Sequence, residues 1–558
     1  MDNINENKEI AEVKKEEPKN IREFNTYDSF FAWFSCIASY IFCLVFPVTQ
    51  TPFGGMLFII MMFLFTFIFL KVKGHKLTAT SVCAGLSAVI LSVSLIVSSN
   101  SFIHFFAYVY CLCAYCYSVY TAMGNTIKKG FSNYLIADWI EAVFILPFIS
   151  LKKPQMHHAM FSGKNKSGLN VIKKLVIGLG IAVIPTSFAF ALLSYDNSFV
   201  NLVTGIFDFE SFSFWEYFIS LIFAIPLGMC LFGLYLSCND KNISGKISEE
   251  KTKKLAEKIS IAPVITIIAA VIPLFSVYVL FFISQWQYYV SGFTGVLPEG
   301  FGYADYAREG FFQLCVVSVI NLVLIILLIL FTKKSKGSSV MMKIIVIVFS
   351  VATLVLISTA IAKLVMYIKI YGLTQKRFYA AWFMAVIALV FIAVAVSRFI
   401  PKVSVLAVSA AIFVVSFTCL ALCNADRMIA KYNVDRYLNG TISTVDVDAM
   451  ENLGDAAIPE FVRLAEYLDS AKGTDILEDV RNKKIVVDPE YKVANFWICY
   501  DITEVDYLYS GNDMQALLTN ALIEKKVELE ETEDKEIFAF TFNRRKAEIA
   551  MKASYLVK

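Results

Sequence analysis

The chain has 558 residues, of which 58% are hydrophobic, and its mean hydropathy is +0.63. Soluble domains are about 45–50% apolar and lack repeated apolar stretches of about 20 residues, so this composition excludes a soluble globular protein. The formal net charge of +3 hides a split: the chain from Asp426 onward carries 26 acids and 17 bases, and the remainder carries 21 acids and 33 bases. The bases are scattered over the ends of apolar segments, a pattern that does not favour nucleic-acid binding.

The N-terminal arm, residues 1–28, is rich in Glu, Lys and Asn and is predicted to be disordered and cytoplasmic. Eleven apolar segments follow, each close to or above the length that crosses a bilayer as a helix. We therefore predict an all-α polytopic membrane domain over residues 29–424. Its transmembrane helices are expected near 30–49, 55–72, 79–98, 102–121, 174–194, 213–236, 260–285, 311–332, 343–366, 378–397 and 403–424.

The distribution of Lys and Arg between the loops predicts the orientation. The arm and the alternate loops after it carry 28 of these residues, and the intervening loops carry 4. Because basic residues accumulate in cytoplasmic loops, the N-terminus is predicted to lie in the cytoplasm. Eleven crossings then place the C-terminus outside the cell membrane.

The segment from Tyr134 to Leu151 is apolar enough to cross, but Asp138 and Glu141 lie one turn apart on one face and lysines flank both ends. We predict an interfacial helix on the cytoplasmic side, at about 134–151. If this segment crossed the bilayer, every later loop would change sides and the asymmetry of Lys and Arg would disappear.

The tail, residues 425–558, is predicted to be a small extracytoplasmic domain of mixed α/β structure. A helix over Asp426–Leu438 would continue from the last crossing, and Pro459 would open a second helix. The acidic run Glu528–Glu536 is predicted to be a solvated loop. Short strands are predicted at Ile485–Val487, Asn495–Tyr500 and Ile537–Phe542.

Signatures of common chemistry are missing from the sequence. No phosphate-binding G-x-x-x-x-G-K-[ST], zinc-binding H-E-x-x-H or nucleophilic G-x-S-x-G occurs, and there are only four histidines. We therefore predict no catalytic residue, cofactor or metal ligand. Cys499 is the one cysteine in the tail, so no disulfide framework is indicated. The deep polar residues amount to little more than Asn321, predicted to form a helix–helix hydrogen bond, which argues against ion coupling.

The remaining polar residues gather on the predicted outer face, and we refer to them as the outer-face cluster. In one interpretation, Arg308, Arg377 and Arg436 pair with neighbouring acids and fix the tail to the membrane domain. In the other, the guanidinium groups bind a phosphate or carboxylate, which they can contact bidentately. The cluster consists of Glu299, Asp305, Arg308, Glu309, Arg377, Asp426, Arg427, Asn433 and Arg436.

Three stretches at these positions resemble a known family. They are LPEGFGYADYAREGFFQL (297–314), YGLTQKRFYAAWF (371–383) and DRMIAKYNVDRYLNG (426–440). They are similar to the signature stretches of the bacterial polytopic membrane proteins of the domain-of-unknown-function families 4153/4173. The resemblance covers the chain from the sixth crossing to the start of the tail. It implies a plasma-membrane location but no substrate, because the family has no established activity.

Three functions remain open at this point. The first is a non-catalytic envelope sensor or scaffold, embedded in the lipid bilayer, whose tail meets an envelope protein or an anionic lipid or cell-wall ligand. The second is a transporter or flippase with an outward-facing anion site. The third is a membrane transferase using a lipid-linked donor, but the first outer loop, Pro47–Phe53, lacks the acid found there in polyprenyl-phosphate-sugar enzymes.

Overall fold

The computed structural model describes residues 24–44, 51–149, 159–160, 214–240, 249–284, 311–333, 338–400, 404–442, 445–472, 518, 521–522, 525–526 and 541–554. Up to residue 331, the helices are α1 (Thr26–Cys43), α2 (Pro52–Val72), α3 (Ala79–Ser92), α4 (Ser94–Val97), α5 (Ser101–Ala122), α6 (Leu135–Ile140), a π-helix (Glu141–Ile145), α7 (Leu146–Ile149), α8 (Phe214–Asn239), α9 (Glu249–Ile259), α10 (Val264–Ser284) and α11 (Phe311–Phe331).

The later helices are α12 (Ser338–Tyr371), α13 (Gln375–Ser397), α14 (Val405–Leu422), α15 (Ala425–Leu438), α16 (Val447–Glu451), a 3₁₀ turn (Gly454–Ala456), α17 (Ile458–Lys472) and α18 (Phe542–Ala553). The helices predicted at 426–438 and from Pro459 are confirmed. The described ranges contain one isolated bridge, between Ala262 and Thr332, and no strand. The strands predicted at 485–487 and 495–500 and the loop at 528–536 lie outside these ranges. The strand predicted at 537–542 is wrong at its described end, because Phe542 is the first residue of α18.

Nine stretches of helix within the described ranges are long and apolar enough to cross a membrane: α2, α3 with α4, α5, α8 and α10 to α14. They correspond to nine of the eleven predicted crossings. The first predicted crossing overlaps α1, which begins at Thr26, inside the predicted arm, because Asn25 and Asp28 form a capping box there. The fifth, at 174–194, lies outside the described residues.

The surfaces of these helices are apolar where they are exposed. On α10, for example, Ile265, Leu280 and Ile283 are 77%, 66% and 68% exposed. Side chains of this kind along a whole helix are stable against lipid and not against water, because no described part of the chain covers them. The chain is therefore a multi-pass membrane protein.

The chain divides into two compact units. The first comprises Met1–Leu44 and Pro147–Ser237. In it, α1 packs on α8: Phe31 stacks on Tyr235 with ring centroids 4.4 Å apart, and the Tyr235 hydroxyl donates a hydrogen bond of 2.8 Å to Asp28 Oδ1. Gly228 allows the close approach, since a Cβ there would lie 3.3 Å from the Ser35 carbonyl oxygen.

The second unit comprises Val45–Leu146 and Cys238–Lys558. Helices α2 to α5 form its first bundle, in which polar side chains join neighbouring helices. Ser81 Oγ donates to the Ser118 carbonyl oxygen over 3.0 Å, and the Thr66 and Tyr115 hydroxyls lie 3.0 Å apart. These hydrogen bonds hold helices together where lipid supplies no hydrophobic driving force.

Helices α10 to α13 form a second bundle around an apolar core that includes Phe349 and Phe391. The predicted deep polar residue, Asn321, is fully buried in this bundle. Asn321 Oδ1 accepts a hydrogen bond from the Tyr278 hydroxyl, and its Nδ2 donates to Thr353 Oγ1 over 3.0 Å. The predicted helix–helix hydrogen bond is thus confirmed.

The described part of the tail has a core of its own. Helix α15 follows α14 almost directly, through Asn424 in the left-handed conformation with φ of 51°. Ile429 and Val434 of α15 pack with Phe461 and Leu464 of α17 and with Met551 of α18. A single small core therefore joins the continuation of the last membrane helix to the end of the chain.

Candidate functional site: the end of the longest membrane helix

Two arginines of the outer-face cluster bind the carboxyl end of α12. Arg436, from α15, donates from Nη1 to the Ile368 carbonyl oxygen over 3.0 Å and from Nη2 to that of Lys369 over 2.6 Å. Arg377, from α13, donates from Nη1 to the Tyr371 carbonyl oxygen over 2.9 Å. The last carbonyls of a helix have no hydrogen-bond donor within the helix and carry partial negative charge. Both guanidinium groups therefore supply the missing donors and a compensating positive charge.

Arg377 has two further contacts at the same place. Its Nη1 also donates to the Gly372 carbonyl oxygen over 2.5 Å, and the guanidinium lies 4.2 Å from the centroid of the Tyr367 ring. The face of the guanidinium can therefore stack on the ring while its edge donates hydrogen bonds, and both contacts stabilise the cation. Neither arginine of this pair contacts an acid within the described residues. Their partners are carbonyl oxygens and, for Arg436 Nε, the Thr441 hydroxyl.

Asn433 holds the link between α12 and α13. Its Oδ1 accepts from the Leu373 backbone N–H over 2.8 Å, and its Nδ2 donates to the Leu373 carbonyl oxygen over 2.7 Å. The side-chain amide therefore pairs with the backbone as a strand would. Gly372 is needed beside it for two reasons: its φ is +74°, and a Cβ would lie 2.7 Å from Asn433 Oδ1.

Asp426 is buried two turns before Asn433 on the same face of α15, where it accepts a hydrogen bond of 2.9 Å from Gln375 Nε2. Burial raises the pKa of its carboxyl, and the hydrogen bonds from Gln375 and Asn100 oppose that rise. The nearby Tyr379 hydroxyl is buried and has no hydrogen-bond partner among the residues that the structure describes.

Arg427 points away from this group and lines a cavity of about 430 Å³ with Lys431 and Lys546. Thus the structure divides the predicted cluster. Arg377, Asn433 and Arg436 surround the end of α12, Asp426 binds the start of α13, and Arg427 lies in a separate basic cavity. The four remaining members, Glu299, Asp305, Arg308 and Glu309, lie outside the described residues.

A protein-family model matches residues 85–464, and its description reads "Domain of unknown function (DUF4153)". The chain is a DUF4153 protein. The match begins in α3, well before the sixth crossing at which the sequence resemblance begins, and ends within α17. No curated protein and no solved structure matches this DUF4153 chain. All described members of the outer-face cluster fall inside the family region, whereas Lys546 follows it.

A buried carboxylate pair of the DUF4153 region is a group that sequence reasoning did not treat as a site. Asp138 and Glu141 are 2% and 1% exposed. The Tyr120 hydroxyl donates to Glu141 Oε2 over 3.1 Å, and the Ile127 backbone N–H donates to Asp138 Oδ1 over 3.1 Å. Burial and the charge of Glu141 raise the pKa of Asp138 to about 6, against the hydrogen bonds of Ile127 and Tyr120.

The pair lies on the predicted interfacial segment, which is helical over Leu135–Ile149 and contains the π-helix at Glu141. The spacing of the two acids placed them on one face correctly, but it gave no sign that this face is covered by α5. In the part of the chain that is described, no group of three or more His, Cys, Asp or Glu side chains is arranged to bind a metal ion.

Proposed function

We propose that this DUF4153 protein is a non-catalytic envelope sensor or scaffold whose tail binds a partner. The end of α12 that Arg377 and Arg436 cap, here called the capped helix end, would transmit the resulting movement of the tail to the membrane helices. The observation that carries this proposal is the set of contacts made by Asn433 and Arg436 of α15. They bind the backbone of α12 and of the link to α13, so α15 cannot move without moving these two crossings.

The proposal places the protein in a bacterial cell membrane with its N-terminus in the cytoplasm and its tail outside. The 28 to 4 distribution of Lys and Arg between alternate loops supports this orientation. It requires eleven crossings, nine of which correspond to described helices. The tail would complete its mixed α/β domain with the strands predicted outside the described residues, and its partner would be an envelope protein or a cell-wall or anionic-lipid ligand.

A chromosomal replacement experiment tests the proposal. A strain carrying the double variant Asn433→Ala/Arg436→Ala is compared with a deletion strain and with a strain carrying Arg463→Ala, a matched loss of one exposed cation of the tail. If the tail acts through α12, the double variant reproduces the envelope proteome of the deletion strain at unchanged protein level, and Arg463→Ala does not. A double variant that is present at the normal level and behaves as wild type refutes the proposal.

A further inference from the structure

The cavity beside α15 is lined by three cations from two helices. Arg427 and Lys431 lie one turn apart on α15, and Lys546 comes from α18. Arg427 is half-buried, whereas both lysines are exposed at the mouth. The cavity volume of about 430 Å³ is within the range of small-ligand sites.

None of the three cations has an acidic partner in the described segments, which distinguishes them from Arg463, Lys525 and Arg545 of the tail. Arg463 pairs with Asp435 and Glu460, Lys525 with Asp455, and Arg545 with Glu548. Burial and the charge of Arg427 lower the pKa of Lys546, as expected where like charges are held together. Like charges one helical turn apart destabilise a helix, so an anion in the cavity would remove an existing repulsion.

Side-chain amides fix the two helices that carry these charges. Asn424 Nδ2 donates to Asn543 Oδ1 over 2.6 Å, and Asn543 Nδ2 donates to Ser99 Oγ over 3.0 Å. Asn543 is 1% exposed and lies one turn before Lys546. The two helices that carry the cations are therefore held together before any ligand binds, which reduces the entropic cost of binding.

The cavity opens where membrane helices end. Val97, the last residue of α4, and Cys423, the first residue after α14, both line it. Apolar side chains accompany the cations: Met428 and Phe542 are 50% and 45% exposed. Cations beside apolar side chains, next to the ends of two membrane helices, match the phosphate and the acyl region of a lipid.

We propose that Arg427, Lys431 and Lys546 bind the phosphate of an anionic phospholipid headgroup, with Met428 and Phe542 against the start of its acyl chains. The site makes the anionic lipid, one of the ligands proposed above for the tail, specific to these residues. It would remain if the sensor or scaffold role failed, because a lipid bound here could serve any function of the membrane domain. In this proposal Arg427 binds an anion, whereas Arg377 and Arg436 do not, since their N–H groups already donate to carbonyl oxygens.

Binding of fluorescent short-chain phosphatidylglycerol to the purified full-length protein in neutral detergent tests this proposal. The triple variant Arg427→Gln/Lys431→Gln/Lys546→Gln is expected to bind at least about tenfold more weakly, since each basic residue near an anionic headgroup contributes roughly fivefold. The control Lys254→Gln/Arg463→Gln/Arg545→Gln removes three exposed charges elsewhere and is expected to bind as wild type. Equal weakening in both variants, or in neither, overturns the proposal.

Two competitors identify the source of the phosphate. Unlabelled phosphatidylglycerol is expected to displace the probe, whereas phosphatidylcholine and millimolar inorganic phosphate are not. Displacement by inorganic phosphate at the concentration that suffices for the lipid would mean a site for free anions and would overturn the lipid assignment. Displacement by phosphatidylcholine as effective as that by phosphatidylglycerol would mean that the negative charge is not recognised, with the same consequence.

A charge reversal separates loss of binding from loss of folding. Lys546→Glu places a carboxylate between Arg427 and Lys431, so it is expected to raise the apparent Tm of the protein while it abolishes binding of the probe. A variant that gains thermal stability and still binds phosphatidylglycerol as wild type contradicts the site.

Discussion

Asn433 and Leu373 exchange two hydrogen bonds, of 2.8 and 2.7 Å, although 60 residues separate them in the chain. The side chain of a helix in the tail thereby acts as the missing strand partner for the three-residue link between α12 and α13. Since both backbone groups of Leu373 are satisfied by one side chain, a change of that side chain affects two hydrogen bonds at once.

The glycine beside this pair provides the first prediction. Gly372→Ala is expected to lower stability through its positive φ, by about 1 kcal/mol. The new Cβ also has to displace Asn433, and we expect roughly 1 kcal/mol more from the weakened hydrogen bonds. Thermal unfolding of the purified protein measures the sum.

Gly440→Ala is the matched control for that prediction, because Gly440 has φ of +68° and no atom within 4 Å of the added Cβ. It is expected to show the conformational cost alone. In an Asn433→Ala background, Gly372→Ala should then cost no more than Gly440→Ala does. Equal losses for the two glycines in the wild-type background would show that the contact with Asn433 has no energetic effect.

The arginine caps predict that replacing Arg436 costs more stability than replacing Arg463, although Arg463 makes more ion pairs. Arg463 has two acidic partners but is exposed, and exposed ion pairs contribute about 0–1 kcal/mol. Arg436 has no acidic partner within the described residues but binds two terminal carbonyls of α12. Charge-assisted hydrogen bonds contribute more, so Arg436→Met is expected to cost about 1–2 kcal/mol and Arg463→Met less. Apparent Tm values in the reverse order would contradict this assignment.

Two tyrosines of the membrane helices form a second matched pair. The Tyr278 hydroxyl donates to Asn321, whereas the Tyr379 hydroxyl is buried without a partner in the described segments. Removing a hydroxyl that has a partner is expected to cost about 1 kcal/mol, and removing one that has none is neutral or stabilising. Tyr278→Phe should therefore lower the apparent Tm and Tyr379→Phe should not; an equal loss for both would mean that Tyr379 is paired.

The sequence predicted the membrane helices well because lipid imposes a simple rule. A helix without polar neighbours in the bilayer must be apolar for about 20 residues, and that pattern is visible in the composition alone. It does not show where a helix ends outside the lipid. The predicted crossing at 343–366 is part of α12, Ser338–Tyr371, whose additional turns include Ser338, Ser339 and Lys369 and therefore carry a weaker apolar signal.

The outer-face cluster was less predictable, for a related reason. A sequence displays the charges of Arg377 and Arg436, and acids are the obvious partners for charges. The carbonyl groups at the end of a helix belong to the backbone, so no residue type in the sequence indicates which of them will bind an arginine. The contact of Arg436 with Ile368 spans 68 residues, and neither periodicity nor spacing relates these positions.

The raised pKa of Asp138 predicts a dependence of stability on pH. The raised pKa keeps this carboxyl of the folded protein protonated up to a pH of about 6, whereas the pKa of an aspartic acid side chain in water is about 4. Between these values the folded state binds more protons than the unfolded state, so stability falls as the pH rises from about 4 to about 6 and stays lower above it. Asp138→Asn removes this dependence.

The expected result is that Asp138→Asn raises the apparent Tm at pH 7.5 more than at pH 4.5, since each unit of pKa corresponds to about 1.4 kcal/mol. The amide oxygen of Asn can still accept from the Ile127 backbone N–H, so the local hydrogen bond is retained. If Asp138→Asn changes the apparent Tm by the same amount at pH 4.5 and at pH 7.5, Asp138 does not titrate in this interval.

The side of the tail is the last prediction, and it decides where every proposed contact lies. Tyr467→Cys is placed in a Cys499→Ser background, because Tyr467 is 44% exposed on α17. A membrane-impermeant maleimide is expected to label it in intact cells above the parent background. Lys254→Cys on α9, 72% exposed in the loop with six bases, should react only after permeabilisation. The opposite result for Tyr467 would make the number of crossings even, with Tyr134–Leu151 as the additional one, and the capped helix end and the basic cavity would then face the cytoplasm.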